Sequence, residues 1–150
     1  MPVDPYRPPD SELGTSSGKG LYSVRGILIA TILGSLAAGI FLIYLNYISL
    51  GHNKLAKLTI RWGVVCFMLI SALAYQMPSY GALFIVLQTG LAGISADRLQ
   101  GAAINYHREH GGVMHSSLRA AGIGVLAGIA ALFALVFIVT VMIALFGASQ

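Results

Sequence analysis

Charge is scarce in this chain of 150 residues, which has nine Lys and Arg and five Asp and Glu, so that charged residues make up only 9%. Apolar residues make up 57%, and the mean hydropathy is +0.80. A water-soluble domain of this length needs a polar exterior that so few charged side chains cannot provide. The composition therefore argues against an ordinary soluble fold and predicts one compact membrane domain.

Cysteine is almost absent as well. Cys66 is the only one and lies in an apolar run, which excludes an internal disulfide and a CxxC motif. The net charge of +4 and the pI near 9.5 would suit a nucleic-acid partner. The basic residues flank apolar segments, however, as the positive-inside rule expects of membrane proteins. We therefore expect the lipid bilayer as a partner and no nucleic acid.

Proline is confined to one place, because four of the five prolines fall within residues 1–20. Together with Ser, Gly and mixed charge, they form a segment that cannot bury enough apolar surface to offset the entropy of ordering. We predict a disordered tail over residues 1–20 and a transmembrane domain over residues 21–150. The tail contains "PYRP", which fits the PxxP ligand pattern, but a short proline-rich tail fits that pattern easily.

Four apolar segments follow the tail and predict spans at about 26–50, 60–76, 80–96 and 120–147. The first has no charge and is about 37 Å long as a helix, against a hydrocarbon core of about 30 Å. The two middle runs are shorter and favour a spanning hairpin, with a re-entrant hairpin as the alternative. The predicted fold is all-α: an integral membrane four-helix antiparallel bundle with two long outer spans and one short central hairpin.

In this arrangement the connector at 51–61 and the loop at 96–119 share one face of the membrane. That face carries six basic residues: Lys54, Lys57, Arg61, Arg98, Arg108 and Arg119. The opposite face would carry Arg7, Lys19 and Arg25 beside three acidic residues. The positive-inside rule then predicts cytoplasmic loops with both termini outside, although Lys19 and Arg25 next to the first span oppose this orientation.

Small residues recur at helical spacing and are candidates for helix packing. They are Gly34 in the first span, Gly90 and Gly93 in the third, and Gly124 and Gly128 in the fourth, where they form a GxxxG motif. Helices in lipid associate through close backbone approach at such residues. Two interpretations stay open, namely a seam between two copies of the chain and packing within one copy.

Gln88 is the most polar side chain at membrane depth, and Asp97 lies at the membrane edge. An amide in hydrocarbon needs a hydrogen-bond partner, so a bond between helices is the main interpretation and a substrate contact is the alternative. No Asp, Glu, Lys, Arg or His falls within the core of a predicted span. Proton-coupled pumps and ion pathways depend on such groups, so their absence argues against this class.

The most polar run, "NYHREHGGVMH" at 105–115, holds three of the four histidines. Apolar residues at helical spacing continue the third helix into it, and Gly111 with Gly112 predicts the helix end. His107 and His110 suit the cationic role that helix C-termini favour. "HREH" is neither HExxH nor HxxEH, because the spacing is one residue short. We expect no metal, no cofactor, no catalytic residue and no enzymatic activity.

The connector "NYISLGHNKLAKLT" and the loop "ADRLQGAAINYHREHGGVMHSSLRAAGIG" resemble a group of small bacterial inner-membrane proteins of unknown function. The pattern pairs an NY-x-x-LG connector, rich in basic residues, with a glycine-rich loop of the form RLQG-x-x-I-x-x-H. The resemblance covers residues from about 34 to 138. It implies a multi-pass protein of the bacterial inner membrane and implies no activity.

Three functions stay open at this point. The main hypothesis is a protein of binding or structural type, a small subunit or scaffold that presents a basic cytoplasmic surface to a partner or to anionic headgroups. That surface is predicted at Arg98, His107, Arg108 and His110. The first alternative is a small homo-oligomeric transporter or channel with Gln88 and Asp97 near its path, which a water-accessible cavity around Gln88 would favour. The second is a toxin-immunity protein.

Overall fold

The structure is a computed structural model that describes residues 20–146, with the backbone alone at residues 135, 138, 139, 142, 145 and 146. The predicted disordered tail, residues 1–20, lies outside the described residues except for Gly20, which is buried. Four long helices follow: α1 (Val24–Ser49), α2 (Asn53–Gln76), α3 (Gly81–Glu109) and α4 (Ser117–Phe146), with a short 3-10 helix at Pro78–Tyr80. The prediction of an all-α chain with four packed helices is confirmed. All four are long and apolar enough to cross a membrane.

Helix α1 reverses direction in its middle. Gly34 (φ −125°, ψ 16°) and Ser35 (φ 66°, ψ −178°) leave the helical region. They separate a first arm, residues 24–33, from a second arm, residues 36–49. The N–H of Tyr22 donates to Asn46 Oδ1 at 2.8 Å, 24 residues away, whereas a straight helix would separate these positions by about 36 Å. The two arms therefore lie side by side, and both open ends of the hairpin meet at one end of the molecule.

This reversal corrects the prediction of one continuous helix over 26–50. The arms measure about 15 Å and 21 Å, so neither alone equals a hydrocarbon core of about 30 Å. The fold-back considered for the middle segments is therefore found within α1 instead. Helices α2 and α3 have 24 and 29 residues, or about 36 Å and 43 Å, and α3 continues past Asp97 as predicted.

Helix α1 forms the core of the molecule. In its most apolar stretch 61% of the residues are buried, against 6% for α2. It packs against each of the other three helices, while within residues 20–146 helix α4 packs against neither α2 nor α3. The centre of the protein is therefore one folded-back helix with three helices around it, which differs from the predicted up-and-down bundle.

Helix α4 runs alongside the first arm at glycine contacts. A Cβ at Gly124 would lie 2.8 Å from Ala30 Cα, and a Cβ at Gly128 would lie 3.0 Å from the Leu33 carbonyl oxygen. Gly34 meets the carbonyl of Gly124. The predicted packing glycines Gly34, Gly124 and Gly128 thus join two helices of one chain, and the seam is already filled within a single copy.

The remaining predicted packing glycines, both on α3, differ from each other. A Cβ at Gly93 would lie 2.7 Å from Leu28 Cδ2 in the first arm, whereas a Cβ at Gly90 would meet nothing within 4 Å. Gly90 therefore makes no close helix contact within one copy, in the part of the chain that the structure describes. Two further glycines adopt left-handed backbone conformations at helix ends, Gly51 (φ 78°) before α2 and Gly111 (φ 73°) after α3. The latter agrees with the glycine signal that predicted the end of α3.

We expect Gly124→Ala to destabilise the protein by about 1–3 kcal/mol, because its Cβ would press on the backbone of Ala30. The matched control is Gly122→Ala on the same helix, where a Cβ meets nothing within 4 Å. Because alanine forms helices better than glycine, Gly122→Ala should leave the free energy of unfolding unchanged or raise it by up to about 1 kcal/mol. Thermal unfolding of both variants in one detergent makes the comparison, and equal midpoints would contradict the α1–α4 packing.

Candidate functional site

A buried amide pair closes the open end of the α1 hairpin. Asn46 accepts a hydrogen bond from the Tyr22 N–H at 2.8 Å and donates through Nδ2 to the Tyr22 carbonyl at 2.9 Å. The same Nδ2 donates to Gln100 Oε1 at 3.1 Å, and Gln100 Nε2 donates to the Ile43 carbonyl at 2.8 Å. Asn46 and Gln100 are 0% and 1% exposed. Since buried amides are costly without partners, these bonds fix the N-terminal segment and α3 to the second arm.

The segment before α1 docks onto the loop between α3 and α4. The Leu21 N–H donates to the Val113 carbonyl at 3.0 Å, and the His115 N–H donates to the Leu21 carbonyl at 2.8 Å. Leu21 forms an isolated parallel bridge with Met114. The chain therefore enters the fold at the end that holds the α3–α4 loop and the start of α4. The prediction of both termini on one side of the membrane assumed a continuous first span. In the structure α1 returns to the end at which it began, so residues 20–23 and the last described turns of α4 lie at opposite ends of the molecule.

All charged residues in the described part of the chain lie towards this end, which we call the basic end. There are seven basic and two acidic residues, all exposed: Arg25, Lys54, Lys57, Arg61, Asp97, Arg98, Arg108, Glu109 and Arg119. The far end, formed by the turn at Pro78–Tyr80 and the last turns of α4 up to residue 146, carries no charged residue. The folded-back α1 thus separates charge along the long axis of the molecule.

His115 holds the docked segment from the loop side. Its ring centroid lies 4.5 Å from that of Tyr22, and a Cβ at Gly20 would lie 2.6 Å from its Cε1. Arg119 Nη1 lies 3.2 Å from His115 Nδ1, a distance that suits donation to an unprotonated nitrogen. Burial lowers the pKa of His115, and the positive charge of Arg119 lowers it further. The neutral imidazole is therefore the form that fits this contact.

The four residues predicted as a partner surface do not form one face. Nine residues separate Arg98 from His107, which at about 100° per residue places them on opposite sides of α3. His107 Nε2 lies 3.2 Å from the Val113 carbonyl and helps to close the loop. Arg108 donates to Asn105 Oδ1 at 3.1 Å and stays exposed. Arg98 and Arg108 remain available to a partner, whereas His107 supports the loop.

His110 also has a local role. Its Nδ1 lies 2.9 Å from the Tyr106 carbonyl, and its ring stacks on that of Tyr106 with centroids 3.9 Å apart. Within residues 20–146 no group of three His, Cys, Asp or Glu side chains is placed to hold a metal ion. The histidine-rich run is thus organised by its own backbone carbonyls.

Gln88 binds the point where α1 breaks. Its Oε1 accepts a hydrogen bond from the Leu36 N–H at 2.9 Å. Leu36 begins the second arm, and the break at Ser35 removes the carbonyl that would otherwise pair with its N–H. Gln88 therefore makes a bond between helices, the main interpretation from the sequence. The hydroxyls of Ser35 and Thr89 are buried without a partner, while Asp97 is exposed nine residues along α3, about 14 Å away.

Asn46, Gln100 and His115 were not singled out in the sequence. Asn46 begins the NY-x-x-LG pattern and Gln100 lies in the RLQG pattern, so the two patterns meet in a single hydrogen bond. Their sequence separation of 54 residues hides the pairing from local reasoning. The usable signal was an amide at the end of each apolar run, where a buried partner is required.

The chain matches no protein-family model, and comparison with curated proteins and with solved structures gave no significant match.

We expect Gln88→Leu to lower the free energy of unfolding by about 1–3 kcal/mol, because it leaves the Leu36 N–H buried without an acceptor. Thr89→Val is the control, since the Thr89 hydroxyl already lacks a partner and its loss should be neutral or slightly stabilising. Denaturation of both variants in matched detergent tests the difference. Equal stability of Gln88→Leu and the unmodified protein would mean that the break does not depend on Gln88.

Acidification should loosen the docked segment. An unfolded histidine titrates near pH 6.5, and the docked His115 titrates lower. Above pH 6.5 both forms are neutral and docking is at full strength, whereas below it the undocked form takes up the proton first and docking weakens. Hydrogen exchange at Leu21 should therefore show falling protection factors between about pH 7.5 and about pH 5.5. His115→Gln should flatten this dependence, and an unchanged slope would exclude His115 as its cause.

Proposed function

We propose that this chain is a multi-pass protein of the bacterial inner membrane with a binding or structural role, a small scaffold subunit that presents its basic end to an anionic partner in the cytoplasm. The observation that carries the proposal is the separation of charge, with every charged residue of the described range towards one end. Basic residues that flank the spans of membrane proteins are more frequent on the cytoplasmic side. The seven basic residues against two acidic residues at this end therefore support a cytoplasmic basic end.

The reversal of α1 removes the conflict in the sequence-based orientation. Arg25 precedes a hairpin that returns to its starting end, so Arg25 joins the connector at 51–61 and the loop at 96–119. In this proposal α1 enters the membrane from the cytoplasm and returns, while α2, α3 and α4 cross it. Residues 1–19 then precede a cytoplasmic entry point, and α4 ends on the outer side.

The polar groups of the interior support binding rather than transport. Gln88, Asn46 and Gln100 bond to backbone or to each other. Irregular backbone at membrane depth is tolerated where protein covers it or where it lines a water-filled cavity. Here Gly124 and Gly128 of α4 cover Gly34, and Gln88 caps Leu36. This packed break matches the dry interior expected of a scaffold.

The surface that we assign to the partner is a basic stripe on α2. Lys54, Lys57 and Arg61 are exposed and follow one another at spacings of three and four residues, so they lie on one face of the helix. Such a stripe offers several positive charges to an acidic segment without long-range rearrangement. Arg98 and Arg108, on α3, extend the same basic end.

A transporter or channel is the second candidate, favoured by the tip of the hairpin. Ser35 has a left-handed φ of 66° and a buried hydroxyl without a partner. Strained backbone and re-entrant helices at membrane depth are typical of solute and ion pathways. The toxin-immunity alternative stays a prediction that the identity of a partner would test.

The test is purification from native membranes in mild detergent, with mass spectrometry of the co-purified proteins and of the intact particle. We expect one foreign protein in stoichiometric amount. The triple variant Lys54→Gln, Lys57→Gln, Arg61→Gln should lose most of it, because the charge of the stripe is gone. The matched triple variant Lys54→Arg, Lys57→Arg, Arg61→Lys keeps the charge and should retain the partner.

Two results would contradict the proposal. One is equal capture by the neutral and the charge-keeping variants, which would exclude the stripe. The other is a partner-free homo-oligomer whose solute flux in liposomes is abolished by Gln88→Leu, which would establish the transporter instead. Protease cleavage of the 51–61 connector from the outside of intact spheroplasts would overturn the orientation.

A further inference from the structure

A groove runs between α2 and α3 over the second arm of α1. The two helices have little contact with each other, which leaves a space of about 220 Å³ between them. The second arm forms its floor. The lining residues are Leu36, Ile40, Ile43, Thr59, Trp62, Gly63, Cys66, Leu91, Ala92, Ser95 and Leu99.

The chemistry of the lining suits a slender apolar occupant. No charged side chain lines the groove, and its only hydroxyls are those of Thr59 and Ser95. The volume of about 220 Å³ is below the range of about 300–1,000 Å³ that is usual for drug-sized ligands. One turn of a helix from a second copy, about 10 Å across with its side chains and about 5.4 Å high, occupies roughly 400 Å³ and exceeds this volume. A single hydrocarbon chain is apolar, as the lining requires, and slender enough for the small volume.

The groove has a polar end. Its inner end lies by Leu36, at the break of α1, and its outer end lies by Ile43 and Leu99, towards the basic end. Thr59 lines the part of α2 closest to the basic end. Trp62 is 64% exposed beside it, as is typical of aromatic side chains at the headgroup level. The hydroxyls therefore lie where a chain in the groove would join its headgroup.

The charge at this end favours an anionic headgroup. Arg98 is exposed, directly precedes the lining residue Leu99, and lies about 60° from Ser95 around α3. Asp97 lies about 160° from Ser95, on the opposite side of the helix. The guanidinium can thus reach the mouth of the groove, while the only carboxylate at this level is turned away. Arg is suited to phosphate because it donates two parallel hydrogen bonds.

We propose that the α2–α3 groove binds one acyl chain of an anionic phospholipid, with the lipid phosphate at Arg98 and the hydroxyls of Thr59 and Ser95 at the mouth. The site requires the membrane location but neither the partner nor the α2 stripe of the proposed function. If the partner experiment fails, the lipid site is therefore unaffected. If the lipid experiment fails, the proposed partner surface on α2 is unaffected.

The experiment is native mass spectrometry of the full chain, stripped of lipid in mild detergent and titrated with phosphatidylglycerol or with phosphatidylcholine of the same acyl chains. The unmodified protein should bind one phosphatidylglycerol about fivefold more tightly than phosphatidylcholine, the ratio that one basic residue at the headgroup level supplies. Arg98→Gln should remove this preference. Arg108→Gln removes the same charge from the same helix away from the groove and should keep it.

A second pair of variants tests the groove itself. Cys66→Phe places a ring in the groove and should weaken binding of both lipids about tenfold, the effect of losing roughly two buried methylenes. Val65→Phe adds the same side chain at an exposed neighbouring position outside the lining and should have no effect. Equal binding by both phenylalanine variants, or equal loss of preference in Arg98→Gln and Arg108→Gln, would overturn the site.

The unmodified protein provides a measurement that is independent of variant folding. Cys66 is the only cysteine and lines the groove, so its alkylation by N-ethylmaleimide reports occupancy. Phosphatidylglycerol should slow alkylation more than phosphatidylcholine at the same concentration. Equal rates with and without lipid would show that the groove stays empty and would also overturn the proposal.

Discussion

The structure depends on the reversal of α1, because a broken helix in an apolar environment exposes backbone groups that must be bonded elsewhere. At the break, Gln88 accepts from the Leu36 N–H. At the open end, Asn46 bonds both the N–H and the carbonyl of Tyr22, and Gln100 secures Asn46. Side-chain amides are suited to both positions, since one amide can accept and donate without bringing a charge into hydrocarbon.

Once α1 is folded back, the rest of the packing follows from its width. Two arms side by side occupy the centre, so α2, α3 and α4 all pack on α1, while α2 and α3 have little contact with each other and α4 contacts neither within residues 20–146. Helix α4 comes close to the first arm only because Gly124 and Gly128 lack side chains. The divergence of α2 and α3 leaves the groove, and the return of the second arm places all described charges towards one end. The charge separation and the groove are thus both consequences of the break.

The sequence predicts the four helices but does not predict the break in α1. Long apolar runs predicted all four helices, and glycine at Gly111 predicted the end of α3, because length, hydropathy and left-handed backbone are local properties. The break falls at Gly34–Ser35 inside a run that is apolar on both sides, and it becomes stable only through contacts with Gln88 and Gly124. Partners 52 or more residues away are not encoded in local spacing.

The NY-x-x-LG and RLQG-x-x-I-x-x-H patterns acquire a physical meaning in this fold. Asn46 and Gln100, one from each pattern, bond to each other where the hairpin closes, and Gly51 turns the chain into α2. His107 ends the second pattern and closes the α3–α4 loop. These residues maintain the architecture. What then remains free for recognition is the exposed basic residues and the groove beside them, which is why we assign function to the basic end.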